Sequence, residues 1–373
     1  MKILFIGDIM LGRFIGKKHN ETKYDIVNPN LIKEISQSDF VIANLESPIT
    51  YSLEQATEHL IFQGTPDILQ QFKWIDCFSL SNNHINDCGE TGMNETISSL
   101  EINKIQHNGL FKDKYTPYLI EKDNIKIAVI TCADMMNYEF DIDNKWKTIR
   151  IDDPILDETI KKYKQENYFI ILFAHVGILF TRFPNPQIRD FIHNKIDLGV
   201  DLAITAHPHV LGGMEEYQGK KIFYSLGDFV MDGSSFRRRN SGVLKVEIEN
   251  NELKSWNIIC ATITNELQTN FSSEKDKKKM LKSFDFVTKK LIENSNNYNT
   301  FYKKQYRREI LQHSVSTLHF IYKEKGILGF FKLLYVRFGA VIGIIKRVFT
   351  NRSAMRYDSD AIDPNKKLSI DKL

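Results

Sequence analysis

Cysteine is scarce in this chain: Cys77, Cys88, Cys132 and Cys260 are widely spaced among 373 residues and form no C-x-x-C pair, which excludes a disulfide scaffold. They are expected to be reduced core thiols. A secretory signal is also missing, because MKILFIGD passes straight into an acidic strand end with no small-residue cleavage site, so the globular part is expected to stay in the cytoplasm. The apolar stretch Ile327 to Phe349 is broken by Lys332, Arg337, Lys346 and Arg347. What remains between Arg337 and Lys346 is too short to span ~30 Å of hydrocarbon. No recognisable nucleic-acid-binding module accompanies the basic residues, which sets nucleic acid aside as a partner.

The rest of the composition is that of a globular protein: 42% hydrophobic and 26% charged residues, in a chain long enough for one large core with an appendage or for two modest domains. The formal charge of +3 hides an asymmetry. Residues 271–373 carry +12 and residues 1–270 carry −9, and two parts of opposite sign suggest two jobs. We divide the chain into a core at 1–265, a basic helical extension at 271–350 and a polar tail at 351–373, expected to be disordered. The extension reads as a basic amphipathic helix, EKDKKKMLKSFDFVTKKLIENSNN, followed by another. Residues 327–349 then either lie in the interface of an anionic membrane, cations snorkelling to headgroups, or pack on the core or on a second subunit. On the first reading, a chain ending near Asn270 should fold and lose only its affinity for anionic vesicles.

The core repeats one arrangement, an apolar run that ends in a polar coordinating group. KILFIG delivers Asp8, followed by Gly12 and Arg13; DFVIAN leads to Glu46; IDCFSLS leads to Asn82, Asn83 and His84. YFIILFA ends in His175, DLAITA in His207 and His209, and KIFYSLG in Asp228. Taken singly, each has an ordinary explanation. Asp8 would cap a helix, Asn82 would hydrogen-bond its own turn, His175 would be a satisfied core histidine and an isolated H-x-H would face solvent. Read as a strand, the last block sends His207 and His209 to the same side, and Pro208 ends the ladder between them. Residues 243–249 and 253–263 alternate as an antiparallel pair turning at Asn250 and Asn251. In open α/β sheets, sites assemble from many strand ends. Two carboxylates, an amide and three imidazoles suit two divalent cations sharing a carboxylate.

GDIMLGR, NLESPIT, SLSNNHINDCGETGMNET, AHVG, DLAITAHPHV and KIFYSLGDF, in this order, resemble the CapA (capsule and poly-γ-glutamate synthesis) family, a branch of the calcineurin-like metallophosphoesterases. The resemblance covers roughly residues 1–260. It implies an α/β fold, a four-layer αββα sandwich, with the basic α-helical extension outside it. It implies one or two divalent ions (Mn, Fe, Zn or Mg), with Asp8, Glu46 and His209 holding one and Glu46, Asn83, His175 and His207 the other. His84 is implied as the catalytic acid beside the leaving group, and we place Arg13 and Asp228 at the substrate. Three positions depart from the pattern. Met10 stands where phosphoesterases have histidine, Ile178, Leu179 and Phe180 follow His175 without the usual glutamate, and Asp228 replaces an asparagine. The expected activity is that of a metal-dependent hydrolase on an anionic polymer or phosphoester, in capsule or poly-γ-glutamate synthesis. The alternative is a non-catalytic assembly or export subunit of a polymer-synthesis complex that keeps the pocket for binding.

Overall fold

The computed structural model describes residues 1–52, 61–134, 145–233, 235–313 and 315. The stretch Ile327 to Phe349 and the tail from Asn351 lie outside them. In chain order the strands are β1 (Lys2–Ile9), β2 (Phe40–Leu45), β3 (Cys77–Ser79), β4 (Gln106–Asn108), β5 (Leu110–Phe111), β6 (Tyr118–Lys122), β7 (Ile125–Ala133) and β8 (Lys147–Thr148). They continue as β9 (Phe169–His175), β10 (Leu202–Ala206), β11 (Met214–Tyr217), β12 (Lys220–Phe223), β13 (Asp228–Val230), β14 (Asn240–Glu249), β15 (Glu252–Ile263) and β16 (Thr269–Phe271). The helices are α1 (Arg13–Thr22), α2 (Pro29–Ile35), α3 (Gly89–Ile102), α4 (Pro154–Gln165), α5 (Pro186–Leu198) and α6 (Glu274–Glu293).

One large sheet runs β16-β15-β14-β1-β2-β3-β4, with β13 added alongside β1, a second runs β11-β12-β10-β9-β7-β6, and β5 and β8 pair as a small two-stranded sheet. The strands that carry the site are parallel: β1 to β2 and β13 in the first sheet, β7 to β9 to β10 in the second. Their alternation separates two apolar faces. Ile3 and Phe5 of β1 pack between the sheets against Val129, Phe173 and Ile204, while Leu4 and Ile6 face outward to Leu31 of α2, Met93 and Leu100 of α3. On the far side, Ile130, Leu172 and Ala203 pack on Ile160 of α4 and Ile192 of α5. Four layers result, helix, sheet, sheet, helix, as the resemblance implies. The β14–β15 hairpin turns at Asn250 and Asn251, both with positive φ (51° and 58°), the conformation a tight hairpin requires.

The basic amphipathic segment forms α6, whose Met280 and Phe284 join the cluster between the sheets and whose Val287 and Leu291 join the outer one. Compact packing runs through Met1–Tyr306, and a second unit comprises Arg307–Leu373. Each of those four side chains contributes roughly 1.5–3 kcal/mol by leaving water. A chain stopped at Asn270 is therefore expected to be unfolded or insoluble, and one stopped at Tyr306 to keep a cooperative thermal melt, in place of the sequence-based expectation for Asn270. Among the described residues no helix is long and apolar enough to cross a membrane.

An ion pair with a buried carboxylate ties α5 to β11. Arg189 Nε donates to Glu215 Oε1 at 3.0 Å, Tyr224 Oη donates to Oε2 at 2.8 Å, and His193 Nε2 lies 3.3 Å away. Burial works against the Glu215 charge, yet hydrogen bonds from His193 and Arg189 hold its carboxyl below the ordinary value. Replacing Glu215 by glutamine leaves the largely buried Arg189 without its counter-charge and is expected to cost about 3 kcal/mol near neutral pH, the low end for a buried pair because the arginine keeps some contact with water. Because the folded carboxyl is depressed, its contribution is complete above the unfolded value of about 4.3 and is lost as pH falls through the lower folded value. Urea unfolding should therefore show a large wild-type to Glu215→Gln difference at pH 7 that shrinks towards pH 3.

Candidate metal centre

The residues singled out at strand ends meet at the carboxyl ends of the parallel strands, where the two sheets abut. Asp8 lies near the end of β1 in register with Asn44 of β2 and with Asp228 of β13. Glu46 follows β2 directly, its backbone N donating to Ile9 O at 2.9 Å. His175 ends β9 beside Ala206 of β10. Strand alternation does not place His207 and His209, because β10 ends at Ala206 and both histidines have positive φ, 97° and 57°. A sharp turn aims them instead, a conformation that non-glycine residues hold only where the surroundings enforce it. Backbone contact supplies that enforcement: His207 N donates to Asp8 Oδ2 at 3.1 Å, and Phe180 N donates to Pro208 O at 2.8 Å.

Donor atoms crowd around Glu46. Asp8, Glu46 and His209 form one set and Glu46, His175 and His207 another, each with one ligand atom per residue within 4.8 Å of the others, and every member buried. His175 Nε2 lies 2.8 Å from Asn83 Oδ1, 3.0 Å from His207 Nδ1 and 3.5 Å from Glu46 Oε1. His209 Nε2 lies 3.7 Å from Glu46 Oε1, and its Nδ1 3.4 Å from Asp8 Oδ2. Both Glu46 oxygens and His207 Nε2 are buried with no hydrogen-bond partner among the described residues. A carboxylate removed from water with no donor on either oxygen is costly unless a cation answers it. These residues fit a divalent ion on each side of Glu46, in the oxygen and imidazole chemistry such ions take.

Charge is unevenly shared among these groups. Burial opposes ionisation of Asp8, but the hydrogen bond from His209 and the fields of His175 and His209 bring its carboxyl down to about 2. Burial, His175 and His209 push the His207 imidazole well below its usual value, which keeps one ring nitrogen's lone pair available. His209 is held well above, because Asp228 and Glu46 outweigh its burial.

Further groups stand around this cluster. His84 Nδ1 is 2.8 Å from Asp87 Oδ2, and its ring stacks on Phe62 with centroids 3.8 Å apart. Arg13 lies over the other part of that stack, 5.5 Å from the Phe62 centroid, with its Nε 3.2 Å from Asp232. Asp228 is fully buried, its Oδ1 2.7 Å from His209 Nδ1. Met10 Sδ accepts from Gly12 N at 3.1 Å in the apolar core, so it supplies no donor to the centre. Asn82 Oδ1 accepts from His84 N at 3.1 Å, the local role its type favours, while its Nδ2 donates across to Leu45 O at 2.7 Å.

Asn44, Asp87 and Arg238 carry no role in the sequence reading. Asn44 Nδ2 donates to Asp8 Oδ1 at 2.8 Å and sits 3.1 Å from His175 Nδ1, orienting both. The i,i+3 spacing of His84 and Asp87 in a turn is the signal that could have found Asp87. Nothing local marks Asn44 or Arg238.

A family model described as bacterial capsule synthesis protein PGA_cap matches residues 2–233. The PGA biosynthesis protein CapA of Bacillus subtilis is 28% identical over 256 residues, 66% of this chain and 67% of that protein. The capsule biosynthesis protein CapA of Bacillus anthracis is 23% identical over 67% of this chain and 64% of that protein, so the chain spans about two thirds of the length of these relatives. Among solved structures, a putative 5'-nucleotidase from Staphylococcus aureus in complex with alpha-ketoglutarate aligns at 14% identity over 77% of this chain and 58% of that chain, with a TM-score of 0.46. The matched residues run from β1 through the segment after β13 and take in every member of the Glu46 cluster, and on that match the chain belongs to the bacterial capsule synthesis protein PGA_cap family.

Proposed function

We propose that this chain is a metal-dependent hydrolase that acts on an anionic polymer or a phosphoester during synthesis of a capsule such as poly-γ-glutamate. The observation that carries the reading is Glu46, fully buried between two groups of ligand-bearing side chains with no hydrogen-bond donor on either oxygen. Asp8 and His209 would share one ion with Glu46, and Asn83, His175 and His207 the other. When bound, divalent ions supply charge that polarises a phosphoryl or acyl oxygen and make a water nucleophilic near neutral pH. Around them the protein's own groups divide the remaining work. Asp87 holds His84 through Nδ1, and His84 would pass a proton to the leaving group. Asp228 fixes His209, Asn44 fixes Asp8 and His175, and Arg13 binds the anionic group of the substrate.

Met10 supports the second reading, a subunit that binds without turnover, because its thioether is turned to Gly12 N and leaves the Asp8 side one donor poorer. The basic extension suits either reading, through an anionic membrane surface or an anionic polymer. Metal analysis of the purified full chain, with assays on bis-p-nitrophenyl phosphate and p-nitrophenyl phosphate, separates the two. Bound metal with turnover that a chelator removes and Mn²⁺ restores supports the hydrolase. Bound metal without turnover on either substrate supports the binding subunit.

A further inference from the structure

Two groupings of the same composition, a histidine, a carboxylate, a phenylalanine and an arginine, lie at the Glu46 cluster, the first with its rings stacked and the second with its rings tilted by 36°. In the first, His84 is held at Nδ1 by Asp87, faces Phe62 and is capped by Arg13. In the second, His209 is held at Nδ1 by Asp228, has the Phe180 ring centroid 6.2 Å away, and is capped by Arg238, whose guanidinium lies 5.1 Å from that centroid. Each arginine leans on a buried carboxylate of the same segment, Arg13 Nε on Asp232 at 3.2 Å and Arg238 Nε on Asp228 at 3.6 Å. The side chains remain 30% and 19% exposed, enough to meet a ligand while their carboxylate partners stay buried.

Contacts of each guanidinium among the described residues are that carboxylate and one aromatic face, which leaves the paired Nη1 and Nη2 edge for an oxyanion. A planar fork of this kind takes phosphate or carboxylate through two hydrogen bonds. Arg13 sits on the His84 stack, where a proton is delivered. Arg238 sits over Phe180 in the other grouping, beyond the residues matched by the family model.

We propose that Arg238 binds a second anionic group of the substrate, distinct from the group held at the Glu46 cluster and Arg13. The site therefore takes molecules with two anionic groups a few bonds apart, such as a link within an anionic chain, in preference to a lone phosphate. This rests on the reading of the cluster as a metal-binding site for an anion, and it does not depend on turnover.

Calorimetric titration of the Mn²⁺-loaded full chain with propylphosphonate and propane-1,3-diyl bisphosphonate, neither of which has a hydrolysable ester, tests it. The wild type should bind the bisphosphonate about tenfold more tightly, the worth of one charge-assisted contact. Arg238→Gln should erase that advantage and leave propylphosphonate within about twofold, whereas Arg13→Gln should weaken both. Should the glutamine variant not fold, Arg238→Lys keeps the charge beside Asp228, loses the fork and is judged by the same loss of advantage. Equal wild-type affinities, or an Arg238 variant that weakens both ligands alike, overturn the proposal. Preference without turnover in the ester assays would retain it while removing the hydrolase, and turnover without preference would do the reverse.

Discussion

Glu46→Gln is expected to empty the centre: metal content of the purified protein should fall to background, and hydrolysis should fall by on the order of 10³-fold, the several kcal/mol that divalent ions supply to such a step. The reason is that Glu46 belongs to both ligand sets, so its loss reaches both ions. Stability should respond in the opposite sense from most core substitutions. Without metal, the variant should be at least as stable as the wild type, because a buried carboxylate with no donor is replaced by a neutral group. With metal at a hundredfold excess over its dissociation constant, the wild type gains about 2.7 kcal/mol, on the order of 5 °C in melting temperature, and the variant gains nothing. Thermal melts with and without Mn²⁺ check this directly. Full metal content in Glu46→Gln would remove Glu46 from the centre.

His84→Ala should separate chemistry from metal binding. The His84 ring is stacked on Phe62 and tied to Asp87, outside both ligand sets, so metal content should not change. Loss of a positioned general acid lowers the rate by roughly 10²–10⁴-fold. That loss should fall on alkyl esters, whose alkoxide needs a proton as it departs, and should be much smaller for p-nitrophenyl esters, whose leaving group departs unprotonated. Asp87→Asn should follow the same pattern more weakly, since it frees the imidazole without deleting it. Equal losses on both kinds of ester, or a loss of metal, would assign His84 another role.

Much of the architecture is legible in local pattern because burial on two faces writes continuous apolar runs. KILFIG, DFVIAN and YFIILFA became β1, β2 and β9, and the Asn250–Asn251 turn announced the β14–β15 hairpin. Helix α2 has only seven residues and α1 buries no more than Ile15, Gly16 and His19, so neither writes an apolar stripe, whereas α4 does write one in Leu156, Ile160 and Tyr163 that the sequence reading passed over. The residue types of the centre were equally plain, since carboxylates, amides and imidazoles that close apolar runs have few other reasons to be there.

What the sequence determined by itself is thus the list of strands and the donor atoms at their ends, because both follow from short-range alternation and side-chain chemistry. Only the tertiary structure decided how those ends face one another. KIFYSLGDF reads as one strand, yet β12 stays in the second sheet while β13 crosses to the first at Gly227, whose φ of 78° permits the turn. Gly7 lets that crossing approach, since a Cβ there would stand 2.1 Å from Gly227 O. The crossing sets Asp228 beside Asp8 and behind His209. Asn44 bridging Asp8 to His175, and Arg238 reaching Asp228, depend likewise on chain segments far apart in sequence. Such contacts are set by the packing of one sheet on the other, and no local pattern carries that information.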